Sequence, residues 1–275
     1  MKNQRLKILI VAHEFSPEQG SECAEGWNLV TRIAKFHDVT VIYASSDQFG
    51  NNSYVDAVKN YLQVSSPIPG LTFVNIDQPR LTKFLAGINN MYEILSPIGF
   101  PLFYFVGYKY WQKAAFRVAK RLHNINHFDI VHQLTQITFR EPGYLWKLGV
   151  PFVWGPTGGT SILPKQFRKQ LPFRTRMMER FRSFSNYYQF NFTNRIIWAN
   201  KKAALIYAYS NEDAVRKVNF ILPSLPISKF PISMISLLAL IVYFNPFKYL
   251  STNVQFSGIK VSMLRFCTYC FPEFL

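Results

Sequence analysis

Three loops hold the residues best suited to chemistry, and each directly follows an apolar run. PEQGSE (17–22) supplies Gly20 and Glu22, with Glu25 three residues further on. A glycine lets backbone N–H groups approach a ligand, and a helix start favours negative charge. Glu22 and Glu25 suit that start; they would repel a phosphate but can accept hydrogen bonds from sugar hydroxyls. HQLTQITFREPG (132–143) supplies His132, Thr135 and Arg140. His132 closes an apolar run, and imidazole exchanges protons near neutral pH, so it is the candidate catalytic residue; a satisfied hydrogen-bonding histidine is the alternative. GPTGGT (155–160) supplies Thr157, Gly158 and Gly159, with Pro156 fixing the backbone. The paired glycines give either a backbone wall for a ligand or a tight strand-to-helix turn.

Other patterns carry less. There is no GxGxxG fingerprint, GxxxxGK[ST] phosphate loop, Ser-His-Asp order or HExxH in the chain. Cys267-x-x-Cys270 has redox or zinc spacing without a second pair, so no metal is expected. Asn191 heads an N-F-T acceptor triplet, which means little without a secretion signal. The stretch 165–182 has seven bases and one acid among Phe167, Leu171, Phe173, Met177, Met178 and Phe181. Such a basic amphipathic segment reads as a membrane-surface element, an anionic-ligand face or an ordinary solvated helix.

The elements that must position these loops alternate. Short apolar runs at 6–12, 38–44, 71–76, 128–134, 150–155 and 204–210 predict six strands. Between them, apolar residues at helical spacing (Ala24, Trp27, Val30, Ala34) predict a helix from Ser21. Further helices are expected over 102–122 and 141–149, with Ser210 capping a last one. This alternation predicts an α/β, Rossmann-like parallel sheet with helices on both faces. In such a sheet, ligands bind beyond the carboxyl ends of the strands, where the three loops fall.

Composition narrows the setting. With 49% hydrophobic and 17% charged residues over 275 positions, the chain can bury a real core. Three cysteines exclude a disulfide scaffold, and the apolar run after MKNQR is too short for a signal peptide, so a cytoplasmic location is expected. The net charge of +16 points to an anionic partner: a phosphate-bearing substrate, a membrane surface or nucleic acid. Nucleic acid is disfavoured because no reading motif accompanies the charge.

The composition breaks near residue 218. From 219 to 275 there is one acid, Glu273, against four bases, and eleven residues are Phe or Tyr. Residues 1–218 are therefore expected to form the domain. Residues 219–275 are expected to be a hydrophobic tail, frame-shifted or truncated, poorly packed or an isolated helix. The uncharged window 230–247 reaches the lower edge of membrane-spanning length.

The segments ILIVAHEFSPEQGSECAEGWNLV (8–30) and FDIVHQLTQITFREPGYLWKLGVPFVWGPTGG (128–159) resemble group 1 (family 4) retaining glycosyltransferases. The likeness is to the N-terminal half of their two-Rossmann-domain (GT-B) architecture and covers roughly residues 5–218. It implies a domain that binds a carbohydrate or lipid-linked acceptor, facing a second domain that binds a nucleotide-sugar co-substrate. Transfer to an acceptor hydroxyl retains configuration, usually without a metal or other cofactor. The resemblance places Gly20 near the donor diphosphate or acceptor, Gly158 and Gly159 on the acceptor side, and His132 with the Thr135–Arg140 loop in the cleft. Relatives with a histidine in this loop often carry it two residues further on, at this chain's Leu134. The donor domain's basic pair and Glu-rich motif have no counterpart in these 275 residues, so the chain alone is expected to be inactive. The rival expectation is a non-catalytic membrane-associated module, anchored by 230–247 and by 165–182, peripheral at the inner face of the membrane.

Overall fold

The computed structural model describes residues 5–48, 50–95, 103–160, 163–210 and 213, with short strands at 242–243, 251–256 and 259–264. Six parallel strands build the sheet: β1 (Lys7–Ala12), β2 (Asp38–Ala44), β3 (Leu71–Ile76), β4 (Ile130–Thr135), β5 (Phe152–Thr157) and β6 (Ala203–Ala208). Their spatial order is β3-β2-β1-β4-β5-β6, with β7 (Val242–Tyr243) antiparallel at the β6 edge. The α/β, Rossmann-like class expected from the sequence is therefore the observed one. β1 is central, which is why its interior residues Leu9, Ile10 and Val11 are all apolar and buried.

The chain divides into two compact units. The first holds residues up to Gln136 and Gly143–Val153. Here α1 (Ser21–Ala34) buries Cys23, Gly26, Trp27, Val30, Ile33 and Ala34. Its Trp27 joins Phe15, Tyr43 and Phe73 in an aromatic cluster, with Phe15 5.2 Å from both Trp27 and Tyr43. Helices α2 (Ser53–Val64), α3 (Arg80–Leu95) and α4 (Tyr104–Asn126) complete the unit. Trp111 and Tyr108 of α4 are fully buried. The helix expected over 141–149 is a single 3-10 turn, Leu145–Lys147. Gly143 at φ +61 breaks any helix there, and a Cβ on it would collide with Gln133 Oε1.

The second unit holds Ile137–Pro142 and Trp154–Arg265. Its helices are α5 (Lys165–Gln170), α6 (Phe173–Phe192) and α7 (Asn194–Lys202). Pro172 separates α5 from α6, since it cannot donate to a continuing helix. Ser210 Oγ accepts the Asp213 N–H at 3.2 Å, as a cap would; the rest of that expected helix lies outside the described residues.

Where the tail, expected to be poorly packed or an isolated helix, is described, it forms short strands. β8 (Ser251–Phe256) and β9 (Ile259–Leu264) pair antiparallel, with Val254 opposite Val261 and Phe256 opposite Ile259. Both sequences, STNVQF and IKVSML, mostly alternate polar and apolar residues, a strand pattern. The proposed anchor falls mostly outside the described residues, as do Cys267 and Cys270. Among the described residues, no helix is long and apolar enough to cross a membrane.

Candidate functional site

In the order β3-β2-β1-β4-β5-β6 the strand order reverses between β1 and β4, and beyond the carboxyl ends of strands at such a switch point is where open α/β sheets bind ligands. The first unit places a carboxylate there. Glu14 follows β1 by two residues, with its side chain 14% exposed. Its loop is locked to the end of β4: the Glu14 N–H donates to Thr135 Oγ1, and that hydroxyl donates to Glu14 O, both at 3.0 Å. The approach is close enough that a Cβ on Gly26 would sit 2.6 Å from Glu14 O. That glycine is what lets α1 pack under the loop.

Four side chains surround the Glu14 carboxylate. Tyr54 OH from α2 donates to Oε2, and Cys23 Sγ from α1 lies 3.6 Å from the same oxygen. Gln136 Nε2 donates to Oε1 at 3.4 Å and also to the Tyr104 oxygen. His13 Nδ1 lies 3.0 Å from Oε1. The Gln78 amide donates to Ser46 O at 2.8 Å, so its Nε2 also faces His13 Nε2, at 2.9 Å. Tyr108 OH fixes the far side by donating to Thr135 O and accepting the Gln136 N–H, each at 2.9 Å.

The electrostatics follow from this arrangement. Burial alone would raise the Glu14 carboxyl, but attraction to His13 and the donors His13, Tyr54 and Gln136 outweigh it and hold it at about 2. The neighbouring acids stay protonated. Burial first, and then the Glu14 charge, push Cys23 up to about 12 and Tyr54 higher still. Tyr104 is likewise raised, by burial and then by Glu14, Glu22 and Asp47. Glu14 is thus an ionised carboxylate among imidazole, phenol, thiol and amide groups, with further negative charge close by. Such a carboxylate repels phosphate and can accept hydrogen bonds from hydroxyls.

The expected site residues divide between the two units. In the first, Gly20 precedes α1, is exposed and has open space around it. Glu22 lies in the first turn of α1, and Glu25 is raised by partial burial. Thr135 is fully buried and holds the Glu14 loop, so it positions the site. His132 requires correction. It is the third residue of β4, 6% exposed and level with Ile10, and does not end its strand. β4 runs three residues further, through Gln133 and Thr135, which are polar yet buried; Gln133 Nε2 donates to Thr135 O. His132 is therefore enclosed in the sheet, short of the strand's carboxyl end.

The second unit brings Arg140 and the glycine loop together. The Phe139 N–H donates to Gly158 O at 3.0 Å, and a Cβ on Gly159 (φ +81) would lie 3.7 Å from Arg140 Nη1. Arg140 donates to Asn186 Oδ1 and stacks on Phe139, while burial lowers its ordinary value. Glu141 is buried and binds Arg195 through both oxygens, at 2.6 and 2.7 Å. Thr157 is the buried last residue of β5, its Oγ1 donating to Tyr207 O at 3.3 Å. β5 extends two residues past the expected boundary, so the glycine loop begins at Gly158. Asp213 accepts the N–H and hydroxyl of Thr160 and so closes that loop.

The chain matches no model of a known protein family, and no curated protein matches it. Glu14, Tyr54, Tyr104 and Gln136 were not among the residues the sequence nominated. The available signal was a charged residue immediately after a buried strand, at the sheet position where the strand order reverses.

Proposed function

We propose that the Glu14 recess binds a neutral, hydroxyl-rich acceptor, and that the chain supplies the acceptor-binding part of a retaining glycosyltransferase of the group 1 kind. The observation that carries this reading is the ionised carboxylate among neutral phenol, thiol and amide donors where the strand order reverses between β1 and β4. A carboxylate near 2 is too weak a base to take a hydroxyl proton efficiently, so Glu14 orients a hydroxyl by accepting from it. Gln136 and Tyr104 add amide and phenol groups for adjacent hydroxyls. In the family reaction, the bond between the sugar's anomeric carbon and the nucleotide phosphate breaks. A bond to the acceptor oxygen forms with retained configuration, and the hydroxyl proton is released. Positioning of the acceptor is the contribution proposed for these residues; donor binding is assigned to none of them.

Saturation-transfer NMR of the full chain with neutral and phosphorylated saccharides tests the reading. A neutral saccharide should bind, and Glu14→Gln should weaken it by about tenfold or more, the worth of a hydrogen bond to a charged group. Gln136→Ala should weaken the same ligand with less effect on folding. Failure of every saccharide to bind, or unchanged binding in both folded variants, would overturn it.

A further inference from the structure

Helix α6 is turned inside out. Phe173, Met177, Phe181, Phe184, Tyr188 and Phe192 are all exposed, Phe173 at 75% and Phe181 at 73%. They recur every three or four residues, so they share one stripe of the helix, an arc of about 100°. The opposite side carries Asn186, which is 6% exposed and accepts from Arg140, and Phe190, which packs 5.3 Å from Phe139. A helix that merely covers a core would point the aromatic stripe inward. A stripe this long, left uncovered over 20 residues, marks an interaction surface.

Charge decides the partner. Arg174 and Arg180 are exposed and Arg176 is half-buried, and by helical spacing all three flank the aromatic stripe. α5 adds Arg168 and exposed Lys169 and Phe167. The one acid of 165–182, Glu179, is paired with Arg182 at 2.9 Å. Aromatic side chains bordered by arginines, without opposing acids, match the boundary between lipid headgroups and acyl chains. We infer that α5 and α6 dock on an anionic membrane surface, the aromatic stripe inserted shallowly and the bases on the headgroups. This inference goes beyond the acceptor-binding proposal and does not depend on it.

Flotation of the full chain with vesicles tests it, using phosphatidylcholine alone or with about one-third phosphatidylglycerol. Binding should require the anionic lipid and fall steeply between low salt and about 0.5 M salt. Arg174→Gln with Arg180→Gln should reduce partitioning by about thirtyfold, and Phe181→Ser with Phe184→Ser by at least about tenfold. All four side chains are exposed, so unchanged melting should confirm that the variants fold. No vesicle binding, equal binding to neutral vesicles, or binding indifferent to either variant would overturn the inference. So would a dimer in solution that Phe181→Ser dissolves, which would assign the stripe to a second copy of the chain.

Discussion

The Glu14 carboxylate gives the sharpest test, because its ionisation is written into stability. It is held at about 2, against an ordinary 4.5, chiefly by His13, Tyr54 and Gln136 acting against burial. A carboxyl lowered on folding stabilises the native state above its unfolded value, and that stabilisation is lost as pH falls towards the folded value. The window therefore runs from about pH 4.5 down to about 2, and the full difference is worth about 3 kcal/mol. Glu14→Gln keeps the shape, removes the charge and cannot titrate. Urea unfolding of both proteins at pH 7, 5, 3.5 and about 2.5 isolates the effect, since every other acid titrates in both. Wild type should be the more stable at pH 7 and 5, and the gap should shrink by about 2 kcal/mol by pH 2.5. A gap that stays constant or widens as pH falls would show that Glu14 is not held ionised, and the account of the recess would fail with it.

Two further predictions probe the packing around each cluster. Gly26→Ala should destabilise by about 1–2 kcal/mol in the same unfolding assay, because the added methyl meets the anchored Glu14 carbonyl at 2.6 Å and overwhelms the helix preference for alanine. Gly87→Ala, exposed in α3 with nothing within 4 Å, should stabilise by about 0.5–1 kcal/mol; like signs for the two would refute the close approach. Glu141→Gln should cost about 3 kcal/mol by leaving the half-buried Arg195 without its carboxylate, and adding Arg195→Met should recover most of that, as a double-mutant cycle measures.

The central strands were legible because burial leaves a mostly apolar run, and the edge strand β3, with no buried residue, from its apolar and β-branched residues. β2 and β3 fall where the sequence places them, and β1 differs by one residue. The strand expected over 128–134 ends one residue short of β4, but the loop was read from residue 132, which promoted His132 although it lies inside the strand. Gln133 and Thr135 are polar, yet both are buried and both bond within the fold. The recess itself was not legible. Cys23, Tyr54, Tyr104 and Gln136 are spread along the chain and meet at Glu14 only once α1, α2, α4 and β4 have packed. No spacing rule within the sequence encodes that meeting.

Charge shows how a correct count can mislead when it is averaged over a chain. A net charge of +16 invites an anionic ligand, but the recess where the strand order reverses between β1 and β4 contains Glu14 and feels Glu22 and Asp47. Its electrostatics select against the very ligand the total suggests. Six of the 16 net charges come from 165–182 alone, seven bases less Glu179, on helices of the other unit. There the bases border aromatic side chains that water solvates poorly, which is the condition for surface binding and not for small-anion recognition. The sequence read the interleaving of bases and aromatics correctly, but periodicity cannot say which face of a helix turns outward. Only the contacts of Asn186 with Arg140 and of Phe190 with Phe139 settle that α6 spends its polar side on the interior. The proposed acceptor site and the proposed membrane surface therefore rest on separate residues, and each can be tested without the other.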